Sequence, residues 1–282
     1  MSLTISVASG KGGTGKTLVA TALTRILADQ CPLIIDTDVE EPNAALFLPV
    51  SNLQVEPVHR LLPVIDDDMC TYCGICAEVC EFGALTVLPQ QVLVFPELCH
   101  SCGACAGLCP ERAISEENSL IGQVETGSIN GMGQLVAGRL NIGESLSPPV
   151  IKAAKKKQAG ADLTIIDCPP GTTCPMIEAV RDSDYCLLVT EPTPFGKHDL
   201  ALALEACKLL GVEAGIIINR WQGEDNGIID LAERFGTPIL GYIPFSFELA
   251  KAYAQGQDPL KAMPELGGVL ERVFRQIKES RS

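Results

Sequence analysis

The run Ser9-Gly10-Lys11-Gly12-Gly13-Thr14-Gly15-Lys16-Thr17 constrains the fold of this chain more than any other stretch. It satisfies G-x-x-x-x-G-K-[ST], and it lies between an apolar segment, Leu3 to Ala8, that predicts a strand and a segment, Lys16 to Asp29, that predicts a helix. In that setting the glycines let successive backbone N–H groups turn inward on phosphate oxygens, and the helix N-terminus adds its positive end. Gly10, Gly12, Gly13, Thr14, Gly15, Lys16 and Thr17 are the expected phosphate-binding residues, with Lys16 reaching the β- and γ-phosphates and Thr17 holding Mg²⁺.

Strand and helix patterns continue to alternate along most of the chain. Leu33 to Ile35 predicts a strand that ends in acidic residues. Further on, the predicted helices are Val150 to Ala159, Pro175 to Arg181, Phe195 to Leu210 and Ile228 to Phe235. Between and after them come the predicted strands Leu163 to Ile166, Tyr185 to Val189, Ala214 to Ile218 and Ile239 to Ile243, and two C-terminal helices close the series. Thr193 reads as the N-cap of the third of these helices, with Pro194 at its first position and Gly211 just past its end. Such alternation implies an α/β fold, a mostly parallel doubly wound sheet with helices on both faces.

From about Asp66 to Ser115 the alternation gives way to cysteine-rich turns. The expected organisation is one discontinuous nucleotide-binding domain, residues 1–65 and 116–282, with a small α+β insert at 66–115. Eight of the chain's thirteen cysteines fall here, as Cys70-x2-Cys73-x2-Cys76-x3-Cys80 and Cys99-x2-Cys102-x2-Cys105-x3-Cys109-Pro110. Both are the bacterial ferredoxin run, in which three thiolates hold one [4Fe-4S] cluster and the fourth reaches the other. Cluster one is therefore expected on Cys70, Cys73, Cys76 and Cys109, and cluster two on Cys80, Cys99, Cys102 and Cys105. Four thiols this close crowd one another too much for separate zinc tetrahedra. Glu81 stands where the second run has its proline. Modules of this kind are one-electron carriers with potentials on the order of −400 mV.

Of the other cysteines, Cys207 falls on an apolar helical stripe with Leu200, Ala203 and Leu204, and Cys31 and Cys186 adjoin predicted strands, so all three read as core. His100 reads as an exposed loop residue. The formal charge of −14 argues against general attraction to nucleic acid or anionic membrane. The one basic run, Lys152 to Lys157, reads as a solvated helix face. No apolar stretch reaches a membrane-spanning length, and no signal peptide precedes the first strand, so the expected location is the cytoplasm. The amphipathic stretch from Leu266 to the C-terminus is expected to pack on the domain.

With Lys11, the loop becomes the KGGxGK variant, and the chain resembles the MinD/ParA/Mrp and nitrogenase iron-protein class of P-loop ATPases (the CobQ/CobB/MinD/ParA class). Ile34-Ile-Asp36-Thr-Asp38 and Thr164-Ile-Ile-Asp167-Cys-Pro-Pro-Gly171 support the resemblance, as do Asn219-Arg220 and Ile243-Pro244. It implies catalytic roles for Lys11, Lys16 and Asp38. Asp38 would position the attacking water, and Lys11 would reach across a dimer interface to the partner's nucleotide. It also implies Mg²⁺ ligation by Thr17, by Asp36 through water and by Asp167, a γ-phosphate sensor at Gly171, and nucleotide contacts at Asn219, Arg220 and Pro244. The implied cofactors are ATP and Mg²⁺, and the implied assembly is a homodimer or a heterodimer with a related ATPase.

Combined with two cluster motifs, this implies an ATPase that couples nucleotide-driven changes to electron transfer or metallocluster handling, with a redox or metallocluster client. An iron–sulfur carrier or assembly scaffold, and a MinD-like switch with redox-sensing clusters, remain as alternatives. Cys174 lies seven residues after Asp167, a spacing similar to that of a cluster ligand in the nitrogenase iron protein. That protein's other ligand has no counterpart here, and neither does the C-terminal CxxC of the scaffold ATPases. A structural cysteine near the interface is the simpler reading.

Overall fold

A computed structural model of the chain describes residues 2–281. The chain begins β1 (Leu3–Ala8), α1 (Lys16–Ile26), β2 (Leu33–Asp36), β3 (Val50–Ile65) and α2 (Ile75–Glu78). It continues β4 (Leu85–Leu88), β5 (Gln91–Val94), α3 (Ala104–Gly107), β6 (Ile114–Ile129) and β7 (Gly133–Leu140). Then follow α4 (Pro148–Lys155), β8 (Leu163–Asp167), α5 (Cys174–Val180), β9 (Tyr185–Thr190) and α6 (Pro194–Leu210). The last elements are β10 (Glu213–Trp221), α7 (Ile228–Phe235), β11 (Ile239–Pro244), α8 (Phe247–Ala254), α9 (Pro259–Ala262) and α10 (Glu265–Ser280).

The main sheet has the order β11-β10-β9-β1-β8-β2-β7-β6-β3. Every pairing from β11 to β7 is parallel, and β7–β6 and β6–β3 are antiparallel. Strands covered on both faces must be apolar at successive positions, and Ile34-Ile35, Ile165-Ile166 and Leu187-Leu188 are each almost fully buried. The first of each pair joins a core with α1, α8, α9 and α10, and the second joins a core with α4 to α7. Leu266, Leu270, Val273, Phe274 and Ile277 of α10 seal the first core. The amphipathic C-terminal stretch thus packs on the domain as its spacing predicts.

Local chemistry fixes α6. The Thr193 hydroxyl accepts from Gly196 N at 3.0 Å, Pro194 opens the helix, and Gly211 ends it at φ 68°. Three expectations fail. The C-terminal region holds three helices rather than two. Cys31 is exposed in a turn, because Pro32 rather than Cys31 leads into β2. Lys155 is not a solvated lysine: its Nζ donates to the carbonyls of Glu178, Ala179 and Arg181 and so caps the C-terminal end of α5.

The 16-residue strands β3 and β6 pair antiparallel from Val50↔Ile129 to Ile65↔Ile114. Only Gly122 to Ile129 of β6 also pairs with β7, so the distal half continues as a two-stranded ribbon. The cysteine-rich segment joins the far ends of the two strands. It has its own hairpin, β4–β5, and a small core formed by Leu62, Ala84, Leu85, Val92 and Cys99.

Candidate functional site

Seven parallel strands end on one edge of the sheet, where the strand order reverses about β1, and open α/β sheets bind ligands at such an edge. The phosphate loop follows β1. Asp38 follows β2, Asp167 ends β8, Glu191 follows β9, Asn219 lies near the end of β10 and Pro244 ends β11. A cleft of about 370 Å³ opens there, lined by Gly12, Gly13, Gly15, Lys16, Thr17, Asp38, Asn219, Arg220 and Pro244 but not by Asp167 or Glu191. The sequence reading had singled out all nine.

Gly15 adopts φ 99°, and a Cβ there would lie 2.5 Å from Asn219 Nδ2. That amide donates to the Thr14 carbonyl at 2.7 Å and ties β10 to the loop. Arg220 donates to the Gly13 carbonyl at 3.2 Å. Gly10 does not line the cleft. It lets α6 approach, since a Cβ would lie 2.2 Å from the Asp199 carbonyl.

The acidic residues divide by partner. Asp36, almost fully buried, accepts from the backbone N–H groups of Asp38 at 3.1 Å and of Asn43 and Ala44 at 2.9 Å each. Its carboxylate therefore holds the loop after β2. Both oxygens of Asp167 are buried with no hydrogen-bond partner. Burial first, and the neighbouring Asp36 second, push the Asp167 carboxyl well above the usual carboxylate range. An orphaned buried carboxylate beside Thr17 and Lys16 is what a Mg²⁺ ion accompanying a nucleotide would relieve, so the donor set fits that ion.

Burial also raises Asp36 and Asp38 to about 6, against the partial opposition of Lys16 at Asp38. A carboxyl whose native pKa exceeds its unfolded value of 3.8 binds more protons when folded. The pair therefore makes the nucleotide-free protein less stable as pH rises from about 4 to about 6. A cation that needs the ionised forms must displace those protons. Mg²⁺-dependent nucleotide affinity should rise with pH from about 5 to about 7, as Asp36 and Asp38 ionise. Calorimetric titrations across that range would show it, and a pH-independent affinity would refute it.

The sequence reading missed several residues of the cleft: Glu41, Asn43, Pro170, Phe245, Ser246, Leu249, Ala250 and Tyr253. The Ser246 hydroxyl caps α8 by accepting from Leu249 N at 3.1 Å, which starts the helical wall just past Pro244. Tyr253 stacks on Phe47 with ring centroids 4.3 Å apart. The Ser246 cap was visible in the sequence; the packing of α8 against the loop was not.

Glu191 was also missed. It is 7% exposed, and its two oxygens take Lys11 Nζ at 3.3 Å and Arg220 Nη1 at 2.8 Å. Two cations facing the phosphate loop are thus partly neutralised from below. Glu191→Gln, which keeps the size and removes the charge, should tighten ATP binding about 3- to 10-fold, more at low salt than at high salt. Titration with a fluorescent ATP analogue at two ionic strengths measures this, and an unchanged Kd would exclude it.

The cysteine segment forms two matching cavities. One is lined by Cys70, Cys73, Cys76 and Cys109, the other by Cys80, Cys99, Cys102 and Cys105. The two runs repeat at the atomic level. Tyr72 N donates to Cys70 Sγ and Ser101 N to Cys99 Sγ, both at 3.4 Å. Ala84 N donates to Cys80 Sγ and Ala113 N to Cys109 Sγ, both at 3.3 Å. Tyr72 and Ser101 share positive φ values of 53° and 55°, and Gly74 and Gly103 values of 86° and 71°. His100 is exposed, as its loop position predicts, and stacks on Phe82 at 3.6 Å. Among the described residues no three Cys, His, Asp or Glu side chains converge on a single-ion position, where thiolates would stand about 2.3 Å from one metal. Cys174 is exposed at the start of α5, whereas Cys168, Cys186 and Cys207 are buried.

No helix of the described residues is long and apolar enough to cross a membrane. A family model described as the CobQ/CobB/MinD/ParA nucleotide binding domain matches residues 5–260. An uncharacterized protein of Methanocaldococcus jannaschii is 33% identical over 279 residues, covering 98% of this chain and 96% of that one. An iron-sulfur cluster carrier protein of Pyrococcus horikoshii is 25% identical over 305 residues, covering 97% and 87%. Among solved structures, the septum site-determining protein MinD of Pyrococcus horikoshii, complexed with Mg-ADP, superposes with a TM-score of 0.62 at 19% identity, covering 100% of this chain and 98% of that one. The phosphate loop on β1, the acidic ends of β2 and β8 and the family match together make this chain a P-loop ATPase of the CobQ/CobB/MinD/ParA nucleotide binding domain family.

Proposed function

We propose that the chain is an iron–sulfur ATPase. It binds and hydrolyses MgATP in the cleft after β1, and it carries two [4Fe-4S] clusters on a ferredoxin-like insert at 66–115, so that nucleotide state governs electron transfer or cluster handling. The observation that carries this reading is the pairing of two four-cysteine cavities, crossed between the runs, with one complete phosphate loop. A cluster spreads its four thiolates around a cavity, which suits cysteines that line a space rather than meet at a point. The backbone N–H groups of Tyr72, Ala84, Ser101 and Ala113 are aimed at ligand sulfurs, where they stabilise thiolate charge and would tune the potential. The clusters would supply one-electron chemistry.

In the cleft, Lys16 and the loop amides would hold the phosphates, Thr17 and Asp167 the magnesium, and Asp38 the attacking water. Lys11 would leave Glu191 to reach a partner subunit's nucleotide, in a homodimer or a heterodimer, and the complex would work in the cytoplasm. The similarity to an iron-sulfur cluster carrier protein favours a second reading, in which a cluster is cargo. Anaerobic purification with an iron count tests the first reading: about eight irons per chain are expected. The reduced clusters should then be oxidised by an acceptor at different rates with ATP, with ADP and with no nucleotide. Identical rates would remove the gating claim, and transfer of a cluster to an apo-acceptor while eight irons remain would favour the carrier.

A further inference from the structure

A single loop, residues 141–147 between β7 and α4, touches both halves of the molecule. On the nucleotide side stands the loop after β2. Asp38, Glu41 and Asn43 of that loop line the cleft, and it also carries Glu40. The Ser147 hydroxyl, in a residue only 2% exposed, donates to Glu40 Oε1 at 3.3 Å. The backbone holds the same junction, since Leu140 N donates to the Val39 carbonyl at 2.8 Å. A Cβ on Gly138 would lie 2.7 Å from Val39 Cγ1, so β7 and the nucleotide-side loop are in direct contact.

On the cysteine side, the Ser145 hydroxyl donates to the Glu97 carbonyl at 3.3 Å, and Glu97 lies two residues before Cys99. Immediately before Ser145, Glu144 Oε2 pairs with Arg60 Nη2 at 3.0 Å. Arg60 sits on β3 with its side chain 3% exposed, and its Nε and Nη1 have no partner. A buried guanidinium with one carboxylate for company holds that carboxylate firmly, because losing it would leave a desolvated charge. The middle of the 141–147 loop is therefore pinned to the β3–β6 ribbon at Glu144, and the residues that follow reach the turn before Cys99 through Ser145 and the nucleotide loop through Ser147.

We propose that residues 141–147 are the strut through which nucleotide occupancy and the Cys80/Cys99/Cys102/Cys105 cavity sense each other, with Glu144, Ser145 and Ser147 as positioning residues. This rests on the iron–sulfur ATPase reading for its purpose, while the mechanical link stands on the contacts alone. An occupant of the cleft touches Asp38, Glu41 and Asn43, and any displacement of their loop moves Glu40, then Ser147, then Ser145 against Glu97. The Cys70/Cys73/Cys76/Cys109 cavity has no such contact with the loop among the interactions described, so the coupling is one-sided.

Hydrogen exchange on the anaerobically purified full chain tests the strut, with Mg²⁺ and a non-hydrolysable ATP analogue, with MgADP, and with no nucleotide. In the unsubstituted protein the five amides of residues 96–101, Pro96 having none, should exchange at rates that differ about fivefold or more between the analogue and ADP. The matching segment 67–72 should not respond. Glu144→Gln should abolish the response at 96–101, and so should Ser147→Ala, a small change that keeps the fold if Glu144→Gln proves unstable; in both variants nucleotide affinity should stay unchanged. A flat response in the unsubstituted protein, or one that survives both substitutions, would overturn the proposal. Iron measured in the same samples separates the two ideas. A low count defeats the iron–sulfur reading, whereas the exchange rates decide the strut whatever the count.

Discussion

Asp167→Asn should make the nucleotide-free protein more stable and, in the same molecule, nearly inactive. Both Asp167 oxygens are buried without partners, and Asp36 is its register neighbour across β2 and β8. The isosteric amide removes a buried charge and the repulsion from Asp36. Wherever the Asp167 carboxyl is ionised, that should add about 1–3 kcal/mol of stability. In a chain of this size, such a gain raises Tm by several degrees. Because burial raises the Asp167 pKa, the wild-type carboxyl holds its proton to a higher pH than a free carboxyl does, and the gain should shrink as pH falls. Loss of the anionic anchor for Mg²⁺ should meanwhile cost about 100-fold or more in ATP turnover. Differential scanning calorimetry and a phosphate-release assay on one preparation give both numbers. A less stable variant would show that the Asp167 carboxylate is paired, and one that keeps its turnover would remove its role at the magnesium.

Paired cysteine substitutions should resolve how the clusters are wired. Cys73 and Cys109 line one cavity although they belong to different runs, and Cys80 lines the other although it follows Cys76 in sequence. If ligation follows the cavities, Cys73→Ala with Cys109→Ala damages one cluster and leaves about four irons per chain. Cys73→Ala with Cys80→Ala damages both and leaves about none. If each run held its own cluster, the two results would be exchanged. Iron analysis with electron paramagnetic resonance of the reduced samples reads the outcome directly. The single substitutions could not do so, since every one of them halves the count under either arrangement.

The legible part of this protein was the part with period or spacing. Buried parallel strands read as apolar runs, α6 announced both of its ends, and the phosphate loop sat where its glycines and Lys16 required. The long ribbon was not legible. β3 contains Pro57 and Pro63, which an edge strand tolerates because its outer N–H groups need no partner, and in β6 the polar run Ser115-Glu116-Glu117-Asn118-Ser119 follows Ile114. A polar run carries no alternation to read, and the alternating buried positions of β3, Val58, Arg60 and Leu62, hide a charged residue among them. Glu191 escaped for a related reason. A lone acid after a strand looks like any loop residue until β1 and β10 bring Lys11 and Arg220 to it.

The phosphate loop and the two cysteine runs are local chemistry, and the sequence by itself determined them: their spacing states which atoms can meet a phosphate or share a cluster. Which buried carboxylate stays unpaired was decided only by the tertiary structure, because Asp36 finds three backbone donors in its own loop and Asp167 finds none. The same holds for the link between the two halves. Glu144, Ser145 and Ser147 lie far in sequence from Arg60, Glu97 and Glu40, and only the register of β3, β6 and β7 brings them within hydrogen-bonding distance.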